Sequence, residues 1–421
     1  MTDARLSNHF DSKSDKNTYD KIIIGGGPAG LFSAYEILAA AKAAGKPVKV
    51  AVLTDTIHSP SAAGSNIVFG IDGYETSDTP LMAQDHAVLK LVRDALPHLQ
   101  DIVRKNKIDC RLDMNYQLIG SNEQEMQGSV EFLENRFDYR PSDFHEVAAQ
   151  DRIKFKGTTM AIESNTIGEL NVEELEQGLV KAIKSMGGEV VTSTHYLGHE
   201  KTSAGFSIET DKGEYTSSSV PLIATGPALA YSHQQLPAPI DLVYTGAMHI
   251  PLLPEDAAKV SRDGRPMGFA DTHLDGDVLW GGLDSKGVLT IGFGDSKDPN
   301  SRTANEQALR KRFAELLPEL AAKYAGKESF SFGPMLKADN MFPFVGRLGD
   351  CDINTAWASR GIVQSLAAAQ AYADYFVNGN DRNLKLFERL NPAKHSPVIG
   401  PKTEIPPDLL SADTDKPQLN I

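Results

Sequence analysis

The chain has 421 residues, 41% of them hydrophobic, so it is long enough to form two domains with a sizeable core. Its formal net charge of −14 disfavours nucleic acid and anionic membrane surfaces as partners. The two cysteines, Cys110 and Cys351, lack C-x-x-C spacing, so we expect no disulfide scaffold and no metal site. There is no run of about 18 apolar residues and no apolar N-terminal leader. We therefore expect a cytoplasmic protein without a membrane span.

The first predicted unit is a strand, a glycine turn and a helix. The sequence KIII of Lys21–Ile24 is followed by GGGPAG and then by LFSAYEILAAAKAA, which is typical of a helix. The glycines have the spacing G-x-G-x-x-G. The first permits a tight turn, the second a close approach of the backbone to a pyrophosphate, and the third close packing of helix on strand. We therefore predict a dinucleotide site formed by Gly25, Gly27, Pro28, Ala29 and Gly30.

A second strand is predicted over Pro47–Asp55. In dinucleotide folds an acidic residue at the end of this strand binds ribose hydroxyls. Thr54 occupies the expected position, and Asp55 follows it as the ribose candidate, with a helix or turn cap as the alternative role. The segment 58–73, HSPSAAGSNIVFGIDG, is small, polar and glycine-rich. It suits a loop that wraps a phosphate or ring system with backbone N–H groups, and the alternative is a flexible loop.

The middle of the chain alternates between helices and strands. Apolar spacing predicts a helix over 80–107. A Gly-Glu-Leu-Asn turn then precedes a helix over Val172–Met186, for which Asn171 is a good N-cap. A hairpin is predicted to turn at Asp211–Gly213, and a buried strand follows at Val220–Ile223.

The pattern of residues changes after residue 240. Recurrent glycine turns and alternating apolar residues predict an antiparallel sheet up to residue 294. An amphipathic helix is predicted over Asn305–Leu320. A last strand at Asn354–Ala356 leads through WASR into a helix over Gly361–Phe376. The proline-rich chain beyond residue 379 is predicted to be extended.

The order of these motifs resembles the FAD-dependent D-amino-acid-oxidase superfamily, which includes glycine oxidase and monomeric sarcosine oxidase, over roughly residues 20–392. GGGPAG resembles its ADP-binding turn, SAAGSNIVFG its second flavin loop, IATGPALA its Ala-Thr-Gly strand end, and WASRGIVQSLAAAQAYADYF its terminal flavin loop and helix. The resemblance implies tightly bound, non-covalent FAD. Beyond the glycine turn, the implied cofactor-binding residues are Asp55, Ser65, Asn66, Thr225, Gly226, Ser359, Arg360, Gly361 and Ile362.

The resemblance also implies an α/β fold, with a Rossmann-like FAD-binding domain and a second, mainly antiparallel α+β substrate domain. We expect the FAD-binding domain to be discontinuous and the substrate domain to cap the flavin. The expected divisions are a disordered tail at 1–18, the FAD-binding domain at 19–80, 155–235 and 330–380, a helical insert at 81–154, the cap at 236–329 and an extended tail at 381–421.

Five residues are candidates for the reaction itself. Arg360 precedes the last helix, where its charge would stabilise reduced flavin or a substrate carboxylate, with a surface ion pair as the alternative. Lys337 is the second catalytic candidate. Tyr244, His249 and Trp357 are candidates for lining the substrate pocket, with core packing as the alternative.

Two positions depart from the family pattern. Gly333–Asp339, GPMLKAD, lacks the arginine that holds a substrate carboxylate, and Thr290 stands where sarcosine oxidase has a lysine that helps oxygen react. We predict an FAD-dependent enzyme that takes a hydride from a C–N bond of a small amine or amino acid to the flavin N5, giving an imine. The electron acceptor, oxygen or a quinone or another molecule, stays open. The alternatives are a 2-hydroxy-acid dehydrogenase with a non-oxygen acceptor, a flavin monooxygenase and a flavin-binding protein without chemistry of its own.

Overall fold

The computed structural model describes residues 17–55, 67–69, 83–124, 126–127, 130, 144–164, 167–225, 240–274, 277–338, 343–357 and 361–391. These residues contain eight α-helices and twenty β-strands. The helices are α1 (Pro28–Ala43), α2 (Ala83–Asn106), α3 (Val172–Ser185), α4 (Pro254–Ala257), α5 (Arg302–Leu316), α6 (Pro318–Tyr324), α7 (Gly361–Asn378) and α8 (Arg382–Leu390). No helix in these ranges is long and apolar enough to cross a membrane.

The strands follow in chain order. They are β1 (Thr18–Tyr19), β2 (Lys21–Ile24), β3 (Val50–Leu53), β4 (Ile67–Phe69), β5 (Tyr116–Gly120), β6 (Phe144–Glu146), β7 (Met160–Ser164), β8 (Ile167–Glu169), β9 (Glu189–Val191), β10 (Tyr196–Thr202), β11 (Gly205–Thr210), β12 (Gly213–Ser217), β13 (Leu222–Ile223), β14 (Ile240–Pro251), β15 (Met267–Leu274), β16 (Asp277–Leu283), β17 (Val288–Ser296), β18 (Ser329–Ala338), β19 (Phe344–Leu348) and β20 (Cys351–Thr355).

Strand β2, the first strand of the glycine-turn unit, lies in the middle one of three layers. The central layer is a six-stranded sheet in the order β19-β20-β13-β2-β3-β9, which is parallel except for the pairing of β19 with β20. Ile23 packs into the core formed with α1, α3 and α7, whereas Ile22 and Ile24 face the four-stranded sheet β1-β12-β11-β10. Because both faces are covered, the strand is apolar throughout its middle, which explains the run of three isoleucines.

Strand β2 begins with a buried charge. Lys21 is 0% exposed, and its Nζ lies 3.2 Å from Asp352 Oδ2 on β20. The ammonium also donates to Val220 O and to Tyr372 Oη on α7. Arg347 Nε donates to the other oxygen of Asp352 over 2.6 Å. Burial lowers the pKa of Lys21 to about 8, and the carboxylate of Asp352 opposes that shift. The cluster ties the sheet to α7.

The second large element is an eight-stranded sheet in the order β18-β14-β17-β16-β15-β5-β7-β6. Its strands are antiparallel except for the parallel pairing of β15 with β5. Helices α5 and α6 cover one face with an apolar core that includes Met248, Ile250, Leu309 and Phe313. Strand β18 lies beyond residue 329 and strands β5, β6 and β7 lie before residue 236, so the sheet is larger than the segment 236–329.

Several predicted elements agree with the structure and four need correction. The hairpin of β11 and β12 turns at Asp211 and Lys212 as predicted, and the Asn171 side chain caps α3 by accepting from the backbone N–H of Glu174 at 2.9 Å. The single helix predicted over Asn305–Leu320 is two helices, α5 and α6, because Pro318 has no N–H to continue the first. The second strand is shorter than predicted. The predicted Gly-Glu-Leu-Asn turn is instead strand β8 with the residues after it. The chain beyond residue 379, predicted to be extended, forms helix α8 over Arg382–Leu390 before the prolines begin.

Candidate active site

The glycine turn after β2 is built by close packing. Gly25 has φ +118°, and a Cβ added there would lie 2.5 Å from Ala224 O. A Cβ added at Gly30, in the first turn of α1, would lie 1.9 Å from Gly25 O. Neither position can accept a side chain without moving backbone atoms, so the first and third glycines let strand, turn and helix fit together.

Gly27 differs from the other two glycines of the motif. It is the N-cap of α1, with Pro28 as the next residue and no acidic residue in the first turn. A Cβ added at Gly27 would meet no atom within 4 Å. The backbone N–H groups and positive end of α1 therefore face a place with room for an anion. This arrangement fits the pyrophosphate of FAD, and the binding of that group by Gly27, Pro28, Ala29 and Gly30 stays a prediction.

The end of β3 places Thr54 and Asp55 in different surroundings. A Cβ added at Gly26 would lie 2.7 Å from Thr54 Oγ1, so Thr54 is the side chain that faces the glycine turn. The Asp55 carboxylate is 57% exposed and its Oδ2 lies 2.6 Å from His195 Nδ1. Asp55 is thus held beside His195 at the edge of the sheet. Its proposed contact with the ribose stays a prediction.

Two further strand ends meet the glycine turn at the carboxyl edge of the six-stranded sheet. Thr225 follows β13, its backbone oxygen accepts from Thr355 Oγ1 at 2.7 Å, and its Cβ would lie 3.0 Å from a Cβ at Gly25. Helix α7 begins at Gly361 after β20, and Ile362 is 4% exposed in the core. Because β2, β13 and β20 run parallel, the N-termini of α1 and α7 lie at the same edge.

Five of the candidate cofactor-binding residues fall in other parts of the chain, and one of the five, Arg360, is also a catalytic candidate. Ser65, Asn66, Gly226, Ser359 and Arg360 lie outside the described residues.

The face of the eight-stranded sheet opposite α5 and α6 carries three neighbouring polar side chains, His249, Thr290 and Ser331, which we call the polar row. His249 lies between Met248 and Ile250, which both enter the helix-covered core, so its side chain points to the opposite face. His249 Nδ1 lies 3.0 Å from Thr290 Oγ1, and Nε2 lies 2.9 Å from Ser331 Oγ. Two hydroxyl groups on neighbouring strands thus hold the ring in one orientation.

Tyr244 lies on the other face. It is 3% exposed, and its ring stacks on Phe332 with 5.8 Å between the centroids. Between Tyr244 and Met248, a Cβ added at Gly246 would lie 2.2 Å from Asn305 Oδ1 of α5. Because alternate residues of a strand share a face, Tyr244 belongs to the helix side of the sheet with Met248. The sequence predicts that Tyr244 and His249 both line the substrate pocket, whereas in the structure they lie on opposite faces of β14.

Lys337 and Trp357 meet where the two large sheets adjoin. Their backbones form an isolated antiparallel bridge between the end of β18 and the residues before α7. Lys337 Nζ lies 3.4 Å from Asp295 Oδ2, and both side chains are about one third exposed, at 36% each. Within the described part of the chain, the buried Nε1 of Trp357 has no hydrogen-bond partner. This indole N–H is therefore available to a group that binds beside the N-terminus of α7.

Glu169 is a candidate site residue that the sequence did not single out. It ends β8, pairs with Ile67 of β4, and reaches the eight-stranded sheet, where a Cβ added at Gly282 would lie 2.3 Å from its Oε2. Burial, followed by the charges of Asp113 and Asp284, raises the pKa of the Glu169 carboxyl to about 8. The signal in the sequence is an acidic residue directly before the apolar Leu170 and the Asn171 cap.

Known proteins with a similar sequence pattern or structure share this fold. The family model described as DAO, FAD dependent oxidoreductase, matches residues 20–375. The chain therefore belongs to this family of FAD-dependent oxidoreductases, with FAD as its cofactor. The predicted fold class, a Rossmann-like FAD-binding part with a mainly antiparallel α+β part, is confirmed. No curated protein matches the chain significantly.

Three solved structures illustrate the likeness. Glycine oxidase from Geobacillus kaustophilus is 16% identical with a TM-score of 0.67, and the match covers 90% of this chain and 100% of that one. L-proline dehydrogenase from P. horikoshii is 15% identical with a TM-score of 0.69, covering 90% and 98%. L-amino acid deaminase from Proteus vulgaris is 13% identical with a TM-score of 0.65, covering 88% and 97%. At these identities the likeness is one of fold.

Proposed function

We propose that the protein oxidises a C–N bond of a small amine or amino acid, with a hydride passing to the flavin N5 and an imine as the product. The names of the three similar structures, a glycine oxidase, a proline dehydrogenase and an amino acid deaminase, support a substrate of this class. The observation that carries the choice is the charge beside His249. Glu169 reaches Gly282, whose partner Thr290 binds His249. The charges of Asp113 and Asp284 act on Glu169, so this region favours the cationic nitrogen of an amine over the uncharged hydroxyl group of a 2-hydroxy acid.

When bound, FAD supplies the redox chemistry, and the chain supplies position and charge. The glycine turn and the N-terminus of α1 would hold the pyrophosphate. The backbone N–H groups at the start of α7, and Arg360 directly before that helix in the sequence, would supply positive charge to reduced flavin. His249 and the indole N–H of Trp357 contact the substrate, and Lys337, on the same face of the sheet as Ser331 and His249, is a further cationic candidate.

The test uses the purified yellow protein under anaerobic conditions. A panel of amines, amino acids and 2-hydroxy acids is mixed with it, and the loss of flavin absorbance is followed. Amines or amino acids should bleach the flavin while the hydroxy acids leave it oxidised. Bleaching by hydroxy acids alone, or NADPH consumption as the only activity, would overturn the proposal. Adding oxygen or a quinone to the bleached enzyme then identifies the electron acceptor.

Two variants test the assigned residues. Gly27→Val should purify without FAD, because the new side chain enters the space for the pyrophosphate. Arg360→Met should keep its FAD but be bleached about a hundredfold more slowly, since removal of one preorganised donor to developing negative charge has an effect of this order. A normal bleaching rate in Arg360→Met would remove Arg360 from the site.

A further inference from the structure

Glu169 stands at the junction of the two large sheets. It lies two residues before Asn171, the cap of α3, and α3 packs in the core with α1 beside the six-stranded sheet. Its carboxyl nevertheless reaches the eight-stranded sheet, because Gly282 has no side chain at the point that Oε2 occupies. Gly282 pairs with Gly268 on one side and with Thr290 on the other. Gly282 therefore leaves a notch in the sheet for this one acidic group, whereas the space beside Gly268 is occupied by the Tyr116 ring.

The charges around Glu169 do not compensate it. In the described part of the chain, the two ionisable groups that act on it are Asp113, whose backbone bridges to Glu169, and Asp284 at the end of β16. Arg111, two residues before Asp113, is held by Glu174 and by Ser285 Oγ at 2.9 Å. The Glu169 side chain has no ion pair or hydrogen bond among the described residues. A carboxyl retained in such a place destabilises the fold when it ionises, so a purely structural role does not explain it.

The notch opens beside the polar row. Thr290, the β17 partner of Gly282, is also the residue that binds His249 Nδ1 through its hydroxyl group. Neighbouring strands lie about 4.8 Å apart, so Glu169 is two strands from His249, on the same face of the sheet. A substrate that contacts His249 thus has its other polar end within reach of Glu169.

We propose that the Glu169 carboxylate binds the ammonium group of the substrate and accepts one of its protons. The inference rests on the proposed function and names the residue that prepares the substrate for it. In this step an N–H bond breaks and an O–H bond forms, with no change of oxidation state. The substrate then holds a neutral amine with a lone pair on nitrogen, which is the form that can become an imine when the hydride leaves the adjacent carbon.

The acidity of Glu169 suits this transfer. An ordinary glutamic acid, at pKa 4.5, would take a proton from an ammonium group only rarely, since alkylammonium groups titrate near about 10. Burial and the two aspartates raise the pKa of Glu169 to about 8. A base is most effective when its pKa lies close to the working pH, where it is both unprotonated and able to hold the proton.

The first experiment tests the cation site without turnover. Trimethylglycine carries a permanent positive charge on its nitrogen, which has neither a hydrogen nor a lone pair. 3,3-Dimethylbutanoate has the same shape, with a carbon atom in place of the charged nitrogen. Binding of each to the holoenzyme is followed by the change in the visible spectrum of the flavin. At pH 8.5 the wild-type protein should prefer trimethylglycine by about tenfold, because its cation is attracted to the Glu169 carboxylate without needing an N–H group, and the preference should fall as the pH is lowered to 6.5. It should vanish in Glu169→Gln.

Glu163→Gln is the matched control, because Glu163 lies on β7 and faces the opposite side of the sheet from its neighbour Ser164, which shares the face of Tyr116 and Gly268. This variant should keep the preference for the cation. Equal binding of the two probes by the wild-type protein, or a preference that survives in Glu169→Gln, would overturn the proposal. Circular dichroism and the flavin spectrum of each variant establish that the fold is intact.

The second experiment separates the inference from the proposed function. Bleaching by an amine that reduces the wild-type flavin should be about a hundredfold slower in Glu169→Gln at pH 7, as expected for a lost general base. The deficit should disappear above the pKa of the amine, where the substrate is already neutral. Equal rates at pH 7 would overturn the role of Glu169 while the proposed function stands. If no amine bleaches the wild-type flavin, the proposed function fails and the probe pair still decides the cation site.

Discussion

Burial shifts the pKa values of Lys21 and Glu169 to about the same point. It lowers the pKa of Lys21 from 10.5 to about 8 and raises the pKa of Glu169 from 4.5 to about 8. Their surroundings differ. Lys21 is enclosed by a carboxylate, a phenol and a backbone carbonyl, and a guanidinium binds the far side of that carboxylate. Glu169 has two further acidic groups near it and no partner among the described residues. The same burial therefore gives a closed structural cluster in one place and a reactive group in the other.

The largest effect should come from opening the closed cluster. Asp352→Asn keeps the shape of the side chain but leaves Lys21 buried without its counter-ion, and a broken buried ion pair costs about 3–5 kcal/mol. The expected loss of this size in the free energy of unfolding is measured by urea denaturation with saturating FAD. Removing the orphaned charge as well should recover much of it, so Lys21→Met/Asp352→Asn should be more stable than Asp352→Asn alone.

The double variant is the control for this comparison. If the two changes simply add, the ammonium and carboxylate are independent and the cluster is not a closed unit. A loss below about 1 kcal/mol in Asp352→Asn, the size expected for a surface pair, would contradict the buried geometry.

The opposite behaviour is expected of Glu169. Its pKa in the folded protein lies above the unfolded value of 4.5, so the folded state binds more protons between pH 4.5 and about 8. Stability should therefore fall as the pH rises through this window, by up to about 1.4 kcal/mol for each pH unit. Glu169→Gln lacks this titration. The difference in free energy of unfolding, variant minus wild type, should grow between pH 5 and pH 8, and a difference that does not change with pH would contradict the uncompensated carboxyl.

The parts of the molecule that follow local rules were predictable from the sequence. Three isoleucines, a glycine turn and an Ala-rich segment define β2 and α1, whose observed bounds, Lys21–Ile24 and Pro28–Ala43, agree with the prediction. The Asn171 cap and the turn at Asp211–Gly213 are equally local. In each case the determining contacts lie within a few residues of each other.

The parts that depend on strand register were not. Tyr244 and His249 both look like pocket residues in the sequence, yet their odd separation of five residues places them on opposite faces of β14. Glu169 gains its significance from Gly282, more than a hundred residues away. The membership of β18 in the eight-stranded sheet is set by its pairing with β14. The domain boundaries and the cofactor contacts of Asp55 stay predictions.

A smaller effect is expected of an ionisable pair that is only partly buried. His98 Nε2 on α2 lies 2.7 Å from Glu36 Oε1 on α1, with side chains 31% and 10% exposed. The hydrogen bond to Glu36 raises the pKa of His98, against the effect of burial. For a histidine with a raised pKa, the stabilisation is complete below its unfolded value near pH 6.5 and disappears as the pH rises through the folded value. Glu36→Gln should therefore lower the free energy of unfolding by about 1 kcal/mol at pH 5.5, and by less at pH 8.5.

A second pair on α2 shows how much of this effect comes from burial. Lys90 Nζ lies 2.6 Å from Asp94 Oδ2, with side chains 72% and 59% exposed. Because exposed pairs four residues apart on a helix contribute only about 0.3–0.5 kcal/mol, Asp94→Asn should change stability by no more than that, and equally at both pH values. A Glu36→Gln effect that matches Asp94→Asn at pH 5.5 would show that His98 and Glu36 behave as a surface pair, and that burial between α1 and α2 adds nothing to their interaction.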